Sequence, residues 1–225
     1  YNEPAMSVVL ERAPATLTLA CAALLISVVL GIPAGIVAAV KRNSVSDAVI
    51  RVLALLGQCM PAFWLGIMLI MLFAVKLGWM PTGGAEDGLR SLILPAFTLG
   101  VFSAATICRL LRSNLIEVLG KEYIDVAKAK GLPKSKIIGK HALKNAMSSI
   151  ITILGMQFAS LLGGSVITEQ VFAWPGVGRL VIQSITTSDF AVVECIVFLM
   201  AVIFVVINFI VDVLYCVINP RVRLQ

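Results

Sequence analysis

The sequence predicts an all-α membrane protein with five transmembrane helices. Of its 225 residues, 60% are hydrophobic and only 13% are charged, whereas a soluble domain carries about 25% charged residues. The hydrophobic residues are concentrated in long runs with almost no charge, and a helix needs roughly 20 apolar residues to cross a bilayer. A soluble helical bundle is disfavoured because its helices would need polar outer faces, which these runs lack.

Five runs are long enough to cross the membrane. The predicted spans cover residues 13–40, 52–75, 91–108, 146–168 and 191–213. The longest links between them are an inner loop over 109–145 and an outer loop over 169–189. The whole chain, 1–225, is predicted to form one transmembrane domain.

The basic residues predict the orientation of these spans. Fourteen of the 18 lysines and arginines lie in segments 41–51, 109–144 and 221–223, and the other four lie in the alternate segments. Basic residues concentrate on the cytoplasmic side of a membrane. The chain is therefore predicted to lie in the cell membrane, with its first residues outside the cell and its last residues in the cytoplasm. The net charge of +6 therefore reflects topology, and we expect the lipid bilayer, not nucleic acid, as its surroundings.

The outer loop contains Trp174-Pro175-Gly176, a triplet that breaks any helix. After it, four apolar residues recur at helical spacing: Val177, Leu180, Val181 and Ile185. This pattern predicts a turn followed by a short amphipathic helix on the outer face.

The inner loop contains an unusual basic stretch, "EYIDVAKAKGLPKSKIIGKHALKNA", over residues 122–146. An apolar helical face is predicted over 115–127, and Gly131 suits the left-handed conformation that ends a helix, while Pro133 can start the next one. After this turn a stripe of lysines lies beside an apolar stripe that includes Ile137 and Ile138. The pattern favours a docking segment whose apolar part fills a groove on a partner. The alternative is a solvated loop whose lysines only set the topology.

This stretch resembles the Glu-Ala-Ala loop of ATP-binding-cassette (ABC) importer permeases. Asp125-Val126-Ala127 takes the place of Glu-Ala-Ala, Gly131 that of the motif glycine, and "HALK" that of its end. The "AKAKGL" and "HALKNA" sequences are similar to the dipeptide, oligopeptide and nickel branch. Three further stretches match that branch: "ERAPATLTLA" (11–20), "VFAWPGVGRL" (171–180) and "VDVLYCVINPRVR" (211–223).

The resemblance implies a type I ABC importer permease fold, in which the five spans are accompanied by one more helix upstream. It implies that residues 122–146 hold a coupling helix that sits in a cleft of a cytoplasmic ATPase. The implied partners are a second homologous permease, two ABC ATPase subunits and an extracytoplasmic substrate-binding protein. The implied substrates are dipeptides, oligopeptides or a related small solute such as nickel.

The resemblance also assigns the site residues. Those predicted to couple to the ATPase are Tyr123, Asp125, Ala127, Gly131, Leu132, Ile137, Ile138, His141, Leu143 and Asn145. Those predicted for the translocation path or an outer gate are Trp174, Pro175, Gly176, Asp189 and Glu194. Glu194 stands where the family would have a neutral residue. It either faces the path, where it could meet a cationic group, or stays hydrated at the interface.

Other functions lack their motifs. The single histidine rules out an H-E-x-x-H zinc protease, and no G-x-S-x-G elbow marks a serine hydrolase. No G-x-x-x-x-G-K-[ST] loop is present, so we expect no catalytic residue, metal or cofactor in this chain and an ATPase on another chain. The alternative function is a channel or scaffold that is not coupled to an ATPase, which would not need the docking segment.

Labelling of introduced cysteines tests the predicted orientation. In intact cells, an impermeant thiol reagent should label a cysteine at position 84 and leave one at position 135 unlabelled, because the basic segments face the cytoplasm. The opposite pattern would overturn the orientation.

Overall fold

The computed structural model describes residues 4–218, without the side chains of 148, 149, 164, 212 and 214–218. The described residues form helices joined by non-helical links, and they contain no strand. The helices are α1 Ala5–Val40, α2 Val45–Cys59, α3 Ala62–Leu69, α4 Leu89–Leu119, α5 Glu122–Ala129, α6 Lys134–Lys136, α7 Leu143–Gly164, α8 Val166–Val171, α9 Val177–Thr186 and α10 Phe190–Ile218. Helix α3 continues as a π-helix over Ile70–Lys76, and a second π-helix over Ile137–Ala142 joins α6 to α7.

The all-α membrane fold predicted from the sequence is confirmed. Helices α1, α4 and α10 are each long and apolar enough to cross a membrane. Two bent pairs have the same character when taken together: Val45–Cys59 with Ala62–Lys76, bent by 102°, and Lys134–Met147 with Ile150–Gly163, bent by 51°. The described chain has five crossings if each bent pair crosses once. Arg221 and Arg223, which entered the charge count, lie outside the described residues.

The second span, predicted over 52–75, begins earlier than predicted and is divided into two helices. Helix α2 begins at Val45, where the Ser44 hydroxyl accepts a hydrogen bond from the Asp47 amide. It ends at Cys59, because Pro61 has no amide hydrogen and favours an extended conformation in the preceding residue. The chain then turns sharply into α3.

The apolar face predicted over 115–127 is also wrong. Helix α4 ends at Leu119, and Gly120 and Lys121 separate it from α5. This interruption changes the face that α5 buries, so Ile124 and Ala127 lie in the core while Val126 is exposed. On the outer side, the predicted turn and amphipathic helix are confirmed as α9, which buries Leu180.

Helices α1 and α4 form the spine of the molecule, and glycines allow them to approach closely. A Cβ on Gly31 would lie 2.7 Å from the carbonyl oxygen of Ala104, and one on Gly35 would lie 2.9 Å from that of Cys108. From the opposite helix, a Cβ on Gly100 would lie 2.8 Å from the carbonyl oxygen of Ala23. Gly31 and Gly35 form the small-xxx-small pattern that lets membrane helices pack backbone to backbone.

Adding a methyl group at Gly31 should separate this spine. Gly31→Ala should lower the free energy of unfolding of the purified protein by about 1–3 kcal/mol, because the new Cβ meets backbone atoms that cannot rotate away. Thermal unfolding in detergent measures the loss. Gly163→Ala is the matched control, since its Cβ would meet nothing within 4 Å. Equal stability of the two variants would contradict the close approach.

Candidate functional site

The inner segment turns at Gly131, as its sequence predicts. Gly131 has a φ of 72°, which confirms the expected left-handed conformation. The Leu132 amide donates to the Ala127 carbonyl at 3.3 Å and the Gly131 amide donates to the Lys128 carbonyl at 2.9 Å, which closes the end of α5. Pro133 then caps the short helix α6. The turn therefore sets the direction of α6 relative to α5.

One side of the segment is anchored in the chain's own core. Ile124, Ala127, Ile137 and Ala142 are buried in a cluster with residues of the three long helices α1, α4 and α7. The members contributed by those helices are Ala39, Ile107, Leu111, Leu115, Ala146 and Ile150. The segment is thus fastened to α1, α4 and α7 at once.

This anchor corrects one assignment made from the sequence. Ile137 was predicted to fill a groove on a partner, but it is only 4% exposed and packs inside this chain. Leu132 and Leu143 are half-buried against the same cluster, and Ile138 and His141 are also half-buried. The apolar stripe beside the lysines therefore faces inward more than the sequence pattern indicates.

The other side of the segment faces away from the core. Tyr123 is 43% exposed and Val126 is 53% exposed. The Asn145 side-chain amide donates to the Tyr123 hydroxyl at 2.9 Å, which links α5 to the start of α7. Asp125 accepts a hydrogen bond from Lys128 at 2.8 Å on the exposed surface.

Exposed basic residues surround this outward side. The predicted lysine stripe is exposed along its length: Lys136, Lys140 and Lys144. Lys121, between α4 and α5, lies 2.8 Å from Glu117, and this hydrogen bond raises the pKa of Lys121. The outward side therefore offers an aromatic ring, an aliphatic side chain and a row of cations to a partner with apolar and acidic groups.

A buried ion pair, which was not predicted from the sequence, ties α2 to α4 on the inner side. The Asp47 carboxylate is fully buried and accepts from Arg112 Nε at 2.7 Å and Arg112 Nη2 at 2.8 Å. The Asn43 amide donates to the same carboxylate at 3.0 Å. The spacing Ser44-x-x-Asp47 is that of a helix capping box and is the signal that could have indicated the acid. The partner, Arg112, is 65 residues away.

The outer turn is organised around a second buried acid, Glu169, which was also missed. Its carboxylate accepts hydrogen bonds from the hydroxyls of Thr16 at 2.8 Å and Ser165 at 3.0 Å, and from the Arg179 amide at 2.9 Å. The Thr16 hydroxyl in turn accepts from the Val177 amide at 2.8 Å. The carboxylate therefore caps the start of α9, where the helix dipole favours negative charge, and ties it to α1.

The three residues of the predicted gate triplet have structural partners in this turn. The Trp174 indole donates to the Ala15 carbonyl at 2.9 Å, and the ring is only 5% exposed. A Cβ on Gly176 would lie 2.4 Å from the Glu169 carboxylate, so only glycine fits there. Pro175 lies between them and lines a small polar cavity with Arg12. The structure thus shows the triplet closing the turn onto α1.

The other two residues predicted for the path lie at the start of α10. An Asp189 oxygen accepts from the Val192 amide at 3.3 Å, as a helix cap does. Glu194 is exposed on the side of α10 that also presents Phe190 and Phe198, and no described residue pairs with it. Glu194 therefore faces whatever covers α10, which leaves both interpretations made from the sequence open.

Known proteins share both the sequence and the fold. Residues 31–224 match the family described as binding-protein-dependent transport system inner membrane component. The di/tripeptide transport system permease protein DppB of Pseudomonas aeruginosa strain UCBPP-PA14 is 40% identical over 94% of this chain and 71% of its own length. The glutathione transport system permease protein GsiC of Escherichia coli strain K12 is 42% identical over 99% of this chain and 72% of its own.

A solved structure shows the same fold at lower identity. A chain of the inward-facing MetNI methionine ABC transporter superposes with a TM-score of 0.82 at 20% identity, covering 96% of this chain and 99% of its own. The likeness covers almost all of both chains, which supports the type I importer permease fold implied by the sequence resemblance.

Substituting Gly131 should separate coupling from folding. Gly131→Ala adds a Cβ that would meet nothing within 4 Å, so its cost of about 1 kcal/mol comes from the left-handed backbone alone. We expect normal membrane insertion and a several-fold loss of substrate-stimulated ATP hydrolysis in the assembled transporter. Gly139 has equally open surroundings and no positive φ, so Gly139→Ala should retain substrate-stimulated ATP hydrolysis. Unchanged substrate-stimulated ATP hydrolysis in Gly131→Ala would show that the turn has no part in coupling.

Neutralising Glu169 should destabilise the outer turn. Both oxygens of the Glu169 carboxylate accept hydrogen bonds. In Glu169→Gln an NH2 group replaces one of these oxygens and faces a group that also donates, which should lower the free energy of unfolding by about 1–3 kcal/mol. Limited proteolysis of the outer segment and thermal unfolding measure the loss. Glu11→Gln makes the same charge change at an exposed position near the outer end of α1 and should be silent. Equal protease resistance of both variants would contradict the proposed cap.

Proposed function

The chain belongs to the family of binding-protein-dependent transport system inner membrane components and is the permease component of an ABC importer, and on this premise we propose that it imports short peptides. The proposal rests on the identity of 40–42% to permeases named for di/tripeptides and glutathione. That identity covers nearly all of the chain, including its membrane helices. Nickel import rests on the sequence resemblance alone.

The chain works with other subunits, since its family is dependent on a binding protein and ATP is hydrolysed on a separate chain. Our proposal for this assembly is a second homologous permease, two ATPase subunits and one extracytoplasmic binding protein. The surface of α10 supports the permease partner, because only 11% of the residues in its most apolar 18-residue stretch are buried within the chain. Lipid would cover part of that surface, and a second permease would cover the part that lines the path.

The coupling mechanism that we propose follows from the two sides of the segment over 122–146. The outward side, with Tyr123, Val126 and the lysines, binds the ATPase. The inward side is buried against α1, α4 and α7, so a displacement of the segment displaces these helices together. The Asp47–Arg112 pair extends the connection to α2 and hence to the bend at Pro61. ATP-driven movement would thereby reach the middle of the membrane.

A channel or scaffold without an ATPase is the second candidate. Such a protein would need basic residues for topology but no anchored segment with an apolar outward side. Because Val126 is half exposed while its neighbour Ile124 is fully buried, the segment offers an apolar contact on a rigid base. This arrangement favours docking to a partner.

Reconstitution tests the proposal. The chain, its companion permease and ATPase subunits should catalyse ATP-dependent uptake of trialanine and glutathione into proteoliposomes when the binding protein is supplied. Val126→Asp should lower uptake at least roughly tenfold, because it places a charge in an apolar contact. Val45→Asp, at an exposed position on the inner side outside the segment, is the matched control. Uptake that needs no ATP would favour the channel.

A further inference from the structure

We propose that a groove carrying uncharged polar side chains, at the bend between α2 and α3, is the part of the translocation path that hydrogen-bonds the peptide backbone. This inference rests on the proposed function, peptide import, and assigns the residues that contact the peptide inside the membrane. The groove is a cavity of about 380 Å³ between α2, α3, α4 and α7. Most of its lining is apolar, and its polar side chains include Gln58, Ser103, Gln157 and Ser160.

The groove lies at membrane depth and coincides with a break in the backbone. Gln58 is next to the bend at Met60 and Pro61, and Ser103 and Gln157 lie near the middle of α4 and α7. A broken helix leaves amide and carbonyl groups that the helix cannot satisfy. Irregular backbone is tolerated at this depth only where protein buries it or where it lines a water-filled cavity. The residues of the break, Met60 and Pro61, line this cavity.

The side chains of the groove have unused hydrogen-bonding capacity. Gln58 donates to the Thr106 hydroxyl at 2.9 Å through its side-chain nitrogen. The Gln157 side chain makes no hydrogen bond to any described residue, although the residue is half-buried. Ser160 is exposed on the same side of α7. Polar groups inside a membrane are costly when they lack partners, so these positions indicate contact with water or a ligand.

The chemistry of the lining fits a peptide backbone better than a charged group. No described residue that lines the groove carries a charge. A glutamine side chain offers both a carbonyl acceptor and amide donors, and a peptide unit offers one of each. Neutral amides can therefore bind a peptide regardless of the charge of its side chains. A charged lining would instead favour peptides of the opposite charge.

Introducing a charge into the groove tests this assignment. In the assembled transporter with its binding protein, Gln157→Glu should raise the ratio of trilysine uptake to triglutamate uptake roughly tenfold relative to the parent. The same binding protein delivers both peptides to both transporters, so a changed ratio reports on the permease. Gln170→Glu, an exposed glutamine of α8, should leave the ratio unchanged. Ser160→Asp provides a second change in the groove if Gln157→Glu does not assemble.

An unchanged ratio in a transporting groove variant would overturn the proposal. It would show that the groove is filled by something other than substrate, such as a helix of the second permease.

The native thiol of Cys59 provides a measurement on the unaltered lining. Cys59 is exposed at the groove and forms no disulfide. With the other cysteines replaced by alanine, a charged, water-soluble methanethiosulfonate should label Cys59 in the assembled transporter. Trialanine with its binding protein and ATP should slow the labelling. An absence of labelling in every state would overturn the proposal, since the groove would then hold no water. Labelling without any peptide uptake by the parent complex would instead remove the proposed function.

Discussion

The close contact between α1 and α4 is the constraint on which the rest of the structure depends. Two glycines of α1, Gly31 and Gly35, and one of α4, Gly100, bring the backbones near enough that no Cβ fits between them. Inside a lipid bilayer the hydrophobic effect does not drive helices together, so this close van der Waals contact supplies much of the attraction. The surrounding helices pack against α1, α4 or both.

Two buried carboxylates attach the other elements to this spine, one at each end. On the outer side Glu169 holds the start of α9 against Thr16 of α1, and on the inner side Asp47 holds α2 against Arg112 of α4. A buried carboxylate is costly unless hydrogen bonds satisfy it, so each acid specifies its neighbours closely. The two ties therefore connect α2 and α9 to the spine, as the proposed coupling mechanism requires.

Between these ties, the bend at Pro61 is the place where the regular packing is interrupted. The chain turns through 102° there, and a cavity with several uncharged polar side chains in its lining lies beside the bend. The inner segment lies at one end of the spine, and its buried anchor of Ile124 and Ile137 connects it to the helices around that cavity. The proposed coupling would thus act through α4 and α7, which carry the anchor near one end and line the cavity further along.

The sequence by itself determined the helical membrane fold, the turn at Gly131 and the break at Trp174-Pro175-Gly176. These features depend on local properties: the length of an apolar run, the conformational freedom of glycine and the missing amide hydrogen of proline. The family motifs in the same stretches likewise identified the permease. A single chain was sufficient for these conclusions because each signal lies within a few consecutive residues.

Only the tertiary structure decided which residues face inward and which acids are structural. Ile137 and Val126 are both aliphatic and lie in one basic stretch, yet a short interruption at Gly120 and the fold around it bury the first and expose the second. Glu169 and Asp47 find partners 153 and 65 residues away. The capping-box spacing marks Asp47 itself, but no local pattern reveals either of these distant pairings. The polar groove likewise arises because three distant segments meet at one bend. Contacts between residues far apart in sequence leave no periodic signal, and for that reason folding alone decides them.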